Sequence, residues 1–200
     1  SIEKELKKQK LSADVISTGC IGLCSYEVLV DVIMPGCSRG TYSKVKPDTV
    51  PQIIEEHVGK GNVVKKNAMS QMCLDGKGVQ QYSDLPFFDE LDQNKNQVKL
   101  VTKNCGIINP EDIDEYIVSG GYKALEKILT TMTPKDVIAE VGRSGLRGRG
   151  GGGFDTGWKW ESTAKYDSDE KYIICNADEG DPGAFMDRSL MEGDPHALLE

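Results

Sequence analysis

The stretch from residue 145 to residue 153 combines six glycines with two arginines, a composition suited to holding a phosphate group. Glycine allows positive φ angles and lets another group approach the backbone without a Cβ in the way. Consecutive bare amides can then point at one anion, and guanidinium groups add full charges. The stretch therefore predicts a loop that binds a phosphorylated or dinucleotide ligand. A flexible surface linker is the alternative, but Gly/Ser linkers rarely carry Arg, Phe and Trp at such close spacing.

The spacing Gly148-x-Gly150-x-x-Gly153 formally matches the dinucleotide fingerprint, which in a Rossmann unit follows a strand and opens a helix. Here the preceding segment has the pattern of a helix instead. Thr133 is placed to cap it, Pro134 suits its first position, and three apolar residues share one face, namely Val137, Ile138 and Val141. Because a helix precedes the loop, the sequence excludes an ordinary Rossmann assignment.

A polar turn follows a short apolar run, Lys171–Cys175, which predicts a buried strand with Cys175 in its packing. The turn carries Asn176, Asp178, Glu179 and Asp181. Polar residues at the carboxyl end of a strand commonly bind ligands in α/β sheets. Ionised carboxylates only accept hydrogen bonds, so this turn suits sugar hydroxyls or ring N–H groups rather than phosphates. A solvated turn is the alternative, while the spacing of an EF-hand calcium loop is not met.

Composition limits the class of protein. The chain has 200 residues, which suggests one or two domains, and 38% of them are hydrophobic, enough for a packed core. A net charge of −8 argues against nucleic acid or an anionic membrane as the main partner. No apolar run approaches the ~18 residues of a membrane span. Six cysteines without disulfide-framework spacing indicate a reducing compartment, so we expect a cytoplasmic protein.

The sequence predicts three regions: 1–64, a linker at 65–99 that includes Gly76-Lys-Gly78, and 100–200. In the first, the patterns predict a helix at Glu3–Lys10, strands at Asp14–Ser17 and Val28–Ile33, a turn at Met34–Gly36 and a helix at Thr49–Val58. This order fits the second half of a thioredoxin-like α/β unit. His57 lies on the apolar face of the last helix, which favours packing over catalysis. In the third region we expect a strand at Leu100–Thr102 and helices at Asn109–Val118 and Tyr122–Leu129.

Cys20 and Cys24 are separated by three residues, which is neither the spacing of redox disulfides nor the tightest zinc spacing. The pair resembles the second cysteine pair of thioredoxin-like two-iron ferredoxins. A two-iron cluster needs four ligands, usually all cysteine, and no cysteine precedes Cys20. We therefore expect a 2Fe-2S module of which the chain holds two of the four ligands and the carboxyl-terminal part. A degenerate module without a cluster is the alternative.

Three blocks, Gly145–Trp160, Ile174–Gly183 and Phe185–His196, resemble the flavin-bearing, NADH-oxidising subunit of respiratory complex I. They resemble still more its relatives in soluble NAD(P)-linked hydrogenases and formate dehydrogenases. The resemblance implies an α/β fold in which residues 100–200 start an FMN-binding domain. FMN would lie between the glycine loop and the Asn176 turn, and NAD(P)(H) would stack on the exposed flavin face.

The resemblance also implies roles for single residues. Residues near the flavin and its phosphate would be Gly148, Arg149, Gly150, Gly151, Gly152, Gly153 and Lys159. Asn176, Asp178 and Glu179 would hydrogen-bond the flavin, and Phe154 would stack on the adenine side of the dinucleotide. Lys159 and Asp181 are the candidates for a direct part in the chemistry. This sequence departs from the family pattern at four positions: Gly152 for alanine, Asp155 for proline, Asp181 for a glutamate, and Ser162 for an aromatic residue found in some relatives.

What the resemblance implies for the parent protein is an NAD(P)H:acceptor oxidoreductase subunit of a hydrogenase complex. Hydride would pass between nicotinamide and FMN, and electrons would pass to iron–sulfur clusters, including 4Fe-4S clusters that we expect beyond residue 200. Partners would be the catalytic iron–sulfur (H-cluster) subunit, a small 2Fe-2S subunit and ferredoxin. The flavin-binding subunit of a formate dehydrogenase or of complex I remains open, as does a non-catalytic electron-transfer scaffold. The choice between NAD and NADP, and electron bifurcation, also remain open.

Overall fold

The computed structural model describes residues 2–73 and 80–200, so the predicted Gly76-Lys-Gly78 part of the linker lies outside the described residues. The chain divides into two compact units, Ser1–Ile107 and Ile108–Glu200. The assignment of residues 1–64 and 100–200 to two functional modules stays a prediction. Among residues 2–73 and 80–200, each helix is too short or too polar to cross a bilayer.

The first unit is built on a three-stranded antiparallel sheet in the order β1-β2-β3. Helix α1 covers Ile2–Gln9, β1 covers Val30–Val32, β2 covers Arg39–Tyr42 and β3 covers Ala68–Met72. Between β2 and β3, helix α2 covers Val50–Ile53 and continues as a π-helical turn, Ile54–Val58. The mixed helix-and-sheet class is confirmed.

The predicted helices at Glu3–Lys10 and Thr49–Val58 are confirmed by α1 and α2, and the strand predicted at Val28–Ile33 contains β1. Cys37 N donates to Met34 O at 3.0 Å, which closes the predicted turn. The strand predicted at Asp14–Ser17 is wrong, because this segment pairs with no described strand and half of the Ile16 side chain is exposed. The strand β3 was not predicted, and it lies in the stretch assigned to a linker.

A small core holds this unit together. It consists of Val32, Tyr42, Val45, Ile53 and Val64. His57 is fully buried beside it, which confirms the packing role predicted for this residue. Its Nδ1 lies 2.7 Å from Tyr42 Oη, and its Nε2 lies 2.8 Å from Tyr82 Oη. Since Tyr42 Oη accepts the Val64 amide at 3.1 Å, its own proton is free to be donated to His57 Nδ1.

The second unit is helical. Its helices are α3 Ile113–Val118, α4 Lys123–Thr131, α5 Pro134–Ser144, α6 Thr156–Ala164, α7 Met186–Gly193 and α8 Pro195–Leu199. The helix predicted from Asn109 starts at Ile113 instead, because the Asp112 side chain accepts the Asp114 and Glu115 amides. Helix α4 confirms the prediction at Tyr122–Leu129.

Two further strand predictions are wrong. Residues 100–102 form a bend and turn. Residues 171–175 have no strand geometry and pair with no described strand, and the Ile173 side chain is fully exposed. Cys175, which we expected to be buried, is exposed as well. An apolar β-branched run predicts a strand only when a neighbouring strand supplies the hydrogen bonds, and none of the described strands does so here.

Candidate functional site

The glycine-rich stretch joins α5 to α6, so the predicted helix before the loop is confirmed. Thr133 caps α5 in a reciprocal pair with Asp136: Thr133 N donates to Asp136 Oδ2 at 2.9 Å. The helix ends at Gly145, whose φ of 67° is the left-handed conformation that favours glycine. The two helices cross closely, because a Cβ built on Gly157 would lie 2.5 Å from Gly142 Cα.

The loop is closed at its neck by backbone hydrogen bonds. Thr156 N donates to Leu146 O at 3.0 Å, and Gly148 N donates to Phe154 O at 2.8 Å. Asp155 then caps α6, accepting the Trp158 amide at 2.7 Å. The neck and the two caps fix where the loop leaves one helix and enters the next.

The backbone amides of residues 149–153, between the two sides of the neck, are available to donate hydrogen bonds to a ligand. Within the described part of the chain, no amide of residues 149–153 donates a hydrogen bond. A Cβ built on Gly150, Gly151 or Gly152 would meet nothing within 4 Å. Gly151 has a φ of 99° and Gly153 a φ of 57°, so the loop uses glycine's conformational range. Unbonded, uncovered amides in such a turn can donate hydrogen bonds to an anion.

Three cations lie in or next to this loop. Arg149 Nη1 donates to the backbone carbonyl of Arg147 at 2.7 Å, which holds the Arg149 guanidinium at the start of the loop. Lys159 lies exposed in the first turn and a half of α6. Among the described residues, none of these three side chains forms an ion pair, so their charges are available for an anionic ligand.

An aromatic pair borders the loop. The rings of Phe154 and Trp158 lie 5.3 Å apart at an angle of 65°, in an edge-to-face arrangement. About half of the Phe154 side chain is exposed, at 55%. Its exposed surface can accept a stacked planar group beside the unbonded amides of the loop.

The predicted polar turn is present, but one of its carboxylates already has partners. Glu179 accepts the Asp187 amide at 2.6 Å and the Arg188 amide at 3.1 Å, so it caps the N-terminus of α7. Its φ of 43° is a left-handed conformation, uncommon for a residue other than glycine. The flavin contact expected for Glu179 stays a prediction and has to compete with this cap.

The other polar residues of the turn are less engaged. Asn176 Oδ1 accepts the Asp178 amide at 3.1 Å, and Asp181 O accepts the Ala184 amide at 3.0 Å. The side chains of Asp178 and Asp181 are exposed. In the described chain, no hydrogen bond, ion pair or ring contact joins residues 145–155 to residues 176–187. The flavin site predicted between these two stretches therefore stays a prediction.

A separate group of possible metal ligands lies in the first unit. The ligand atoms of Cys20, Cys24 and Glu27 all lie within 4.8 Å of one another. Gly22 N donates to Cys20 Sγ at 3.4 Å, and Cys20 Sγ lies 4.0 Å from a Glu27 carboxylate oxygen. The neighbouring Cys20 sulfur, followed by desolvation and Glu27, raises the pKa of the Cys24 thiol. Two thiols this close can bind one iron, so the donor set fits half of a two-iron cluster.

Comparison with known proteins tests the resemblance directly. The profile of the Nuo51 FMN-binding domain matches residues 141–200, which include the glycine loop and the polar turn. Residues 141–200 are therefore similar to a Nuo51-type FMN-binding domain. The expected kinship with flavoprotein subunits is thereby confirmed.

Three relatives show how far the similarity extends. The NADP-reducing hydrogenase subunit HndC of Solidesulfovibrio fructosivorans is 57% identical over 106 residues, 53% of this chain and 21% of that protein. The NADH-quinone oxidoreductase F 2 subunit of Rhizobium meliloti is 46% identical over 101 residues, 50% of this chain and 24% of that protein. The NADH-quinone oxidoreductase F subunit of Aquifex aeolicus is 53% identical over 88 residues, 44% of this chain and 20% of that protein. The chain thus spans about a fifth of the length of these relatives.

Two features of these sites were not predicted from the sequence. Glu179 caps α7 with its backbone in a left-handed conformation, which no pattern of residue types in the sequence predicts. Glu27 lies seven residues beyond Cys20 and reaches it only through the path of the intervening loop. An acidic residue shortly after a cysteine pair was the available signal for Glu27.

Proposed function

We propose that the chain is part of an NAD(P)H:acceptor oxidoreductase subunit that exchanges hydride between a nicotinamide and FMN. The observation that carries the proposal is the loop between α5 and α6. Its unbonded amides at residues 149–153, with Arg147, Arg149 and Lys159 around them, supply donors and positive charge for a flavin phosphate. The match of residues 141–200 to an FMN-binding family supports the same ligand.

The donor set fits FMN. The bare amides of residues 149–153 accommodate phosphate oxygens, and Arg149 and Lys159 balance their charge. When bound, FMN supplies the capacity to accept a hydride and to release electrons singly. Lys159 places a fixed positive charge that favours the reduced, anionic flavin. The exposed Phe154 ring offers a stacking surface for the adenine of NAD(P)(H).

The polar turn would serve the remaining polar edge of the flavin. Asp178 and Asp181 have exposed carboxylates that accept N–H or O–H donors, and Asn176 keeps its side-chain N–H₂ for donation. Asp181 is one methylene shorter than the glutamate of the family pattern, so we assign it hydrogen bonding at the nicotinamide side of the site. Glu179 contributes through its cap on α7, which holds this turn.

Electrons would leave the flavin through iron–sulfur clusters. Cys20 and Cys24 supply two of the four sulfur ligands of a 2Fe-2S cluster within a thioredoxin-like module, and 4Fe-4S clusters belong to parts of the parent protein other than residues 1–200. The closeness of the two thiols supports this assignment.

We place the parent protein in a soluble, cytoplasmic hydrogenase. The hydrogenase relative shares 57% identity over 106 residues, which supports this partner reaction. Its partners would be the catalytic iron–sulfur (H-cluster) subunit, a small 2Fe-2S subunit and ferredoxin. The two NADH-quinone oxidoreductase relatives, at 46% and 53% identity, favour as second candidate the flavin-binding subunit of a quinone-linked NADH dehydrogenase. A formate dehydrogenase subunit shares the same flavin chemistry.

The proposal is tested on the full parent protein. After loading with FMN, anaerobic addition of NADH or NADPH should bleach the oxidised flavin absorption, which a non-catalytic scaffold cannot do. Lys159→Ala should weaken FMN binding or make reduction harder. Lys165→Ala is the matched control, because Lys165 lies at the far end of α6 and pairs with Glu161 at 3.5 Å. A parent protein that keeps cluster absorption but binds no flavin would refute the enzyme assignment.

A further inference from the structure

The cysteine loop of the first unit packs against a glycine far along the chain. Gly106 has a φ of 75°, and a Cβ built on it would overlap Ile21 Cγ2. The next nearest atom is Gly19 O, at 3.6 Å. Ile21 lies between the two cysteines in sequence, and it occupies the space that any side chain at position 106 would need.

Gly106 is itself held in place by a buried arginine. Arg39 is only 5% exposed, and its Nη2 donates to Gly106 O at 2.6 Å. The same nitrogen forms an ion pair with Asp31. Arg39 belongs to β2 and Asp31 to β1, so the contact ties Gly106 to the sheet. Loss of a partner would leave this buried guanidinium with an uncompensated charge, so the contact with Gly106 O is costly to break.

The contacts therefore run from the sheet through Arg39 and Gly106 to Ile21, and Ile21 is bonded directly to Cys20. On the other side of Ile21, Gly22 donates its amide to Cys20 Sγ at 3.4 Å. Leu23 is buried, at 7% exposure, and anchors the loop just before Cys24. A shift of Ile21 would move the atoms that set the distance between the two sulfurs.

We propose that Gly106 is a positioning residue for the thiol pair Cys20 and Cys24, acting through its contact with Ile21. The inference rests on the proposed cluster-binding role of the pair and adds a determinant about 80 residues away in sequence. Sulfur ligands must hold their places within about 0.2 Å of ideal metal distances. Because Gly106 has no Cβ, the Ile21 side chain can occupy the space next to it, and this contact fixes the position of the cysteine loop.

The test compares two substitutions with the same backbone strain. Gly106→Ala places a methyl group against Ile21. Gly61→Ala is the control, because Gly61 has a φ of 74°, belongs to the same unit and has nothing within 4 Å of a built Cβ. Urea unfolding measures how far each substitution lowers the free energy of unfolding. The loss in Gly61→Ala gives the cost of the backbone strain that both variants share. Any further effect of Gly106→Ala at the cysteines then belongs to the contact with Ile21.

The probe is phenylarsine oxide, whose arsenic bonds to both sulfurs while its oxygen leaves as water with the two thiol protons. It needs two neighbouring thiols and no iron, and Cys20→Ser sets the background from other cysteines. Supporting shells around metal ligands are typically worth about 10- to 100-fold in affinity, so Gly106→Ala should weaken arsenical binding by about that factor. Gly61→Ala should bind like the unchanged chain.

A second variant keeps the test decisive if Gly106→Ala does not fold. Ile21→Ala removes the same contact from the other side without backbone strain and should also weaken arsenical binding. Its control is Ile16→Ala, since Ile16 is half exposed, at 50%. Arsenical affinities of Gly106→Ala and Ile21→Ala equal to those of their controls would overturn the positioning role. Failure of the unchanged parent protein to assemble a 2Fe-2S cluster, with the arsenical differences retained, would instead count against the cluster function alone.

Discussion

Because α5 and α6 cross closely, replacing glycine by alanine should have opposite effects on stability at Gly142 and at Gly157. A methyl group on Gly157 would lie 2.5 Å from Gly142 Cα and 2.8 Å from Gly142 N. Both contacts are with backbone, so no side chain can move away and the helices themselves must separate. A methyl group on Gly142 would meet nothing within 4 Å. The two positions therefore form a matched pair on the same two helices.

Two contributions set the expected change in the free energy of unfolding: the helix propensity of alanine and the steric overlap of its methyl group. Replacing glycine by alanine inside a helix stabilises it by up to about 1 kcal/mol, and this gain applies to Gly142→Ala in full. Forcing an extra methyl group into a closed contact costs about 1–3 kcal/mol. Both contributions apply to Gly157→Ala, and its gain in helix propensity is smaller because Gly157 lies near the start of α6. The free energy of unfolding should thus be lower in Gly157→Ala than in Gly142→Ala by about 1–3 kcal/mol.

Urea unfolding followed by circular dichroism measures this difference, and FMN titration of the parent protein measures its consequence. Separating the helices strains the neck bond between Thr156 N and Leu146 O, so Gly157→Ala should also bind FMN more weakly. Gly142→Ala should bind FMN as the unchanged protein does. Equal stability of the two variants, or a more stable Gly157→Ala, would refute the close crossing as the element that fixes the loop.

Three further predictions concern single side chains. Glu179→Gln should lower stability by about 0.3–1 kcal/mol through loss of the anion at the start of α7, with faster hydrogen exchange of the Asp187 amide; unchanged exchange would contradict the cap. Asp155→Ala should cost about 1 kcal/mol in urea unfolding, whereas Asp155→Asn keeps the cap and should cost little. Burial holds the pKa of His57 below its usual 6.5, so the unfolded chain takes up this proton first as the pH falls. The stability from the neutral ring is thus complete above about pH 6.5 and lost below it, and His57→Gln should remove this part of the pH dependence measured by urea unfolding.

Local signals in the sequence predicted the helical frame of the candidate site. The cap Thr133, the proline after it and the apolar face of α5 are contained within one turn or two, so they specify that helix without help from distant residues. The glycine loop could also be predicted from local sequence, because its structure depends on contacts between residues close together along the chain. Its neck is a short-range structure, in which residues six and ten apart along the chain are bonded.

Three of the four strand predictions, which depended on distant pairing partners, failed. Residues 171–175 have strand-forming composition, but a strand exists only through pairing, and no described strand lies beside them. The opposite error occurred at β3, where Ala68–Met72 has weak strand propensity and is held by its register with β2. The contact of Gly106 with Ile21 joins positions far apart in sequence, so no local pattern could reveal it.

The central claim is that the loop between α5 and α6 holds the flavin phosphate, and amide hydrogen exchange of the parent protein with and without FMN tests it most directly. FMN should slow the exchange of the amides of residues 149–153, which donate no hydrogen bond in the described chain, and inorganic phosphate at high concentration should slow it in part. Exchange at residues 149–153 that FMN leaves unchanged, while amides elsewhere become protected, would contradict the claim.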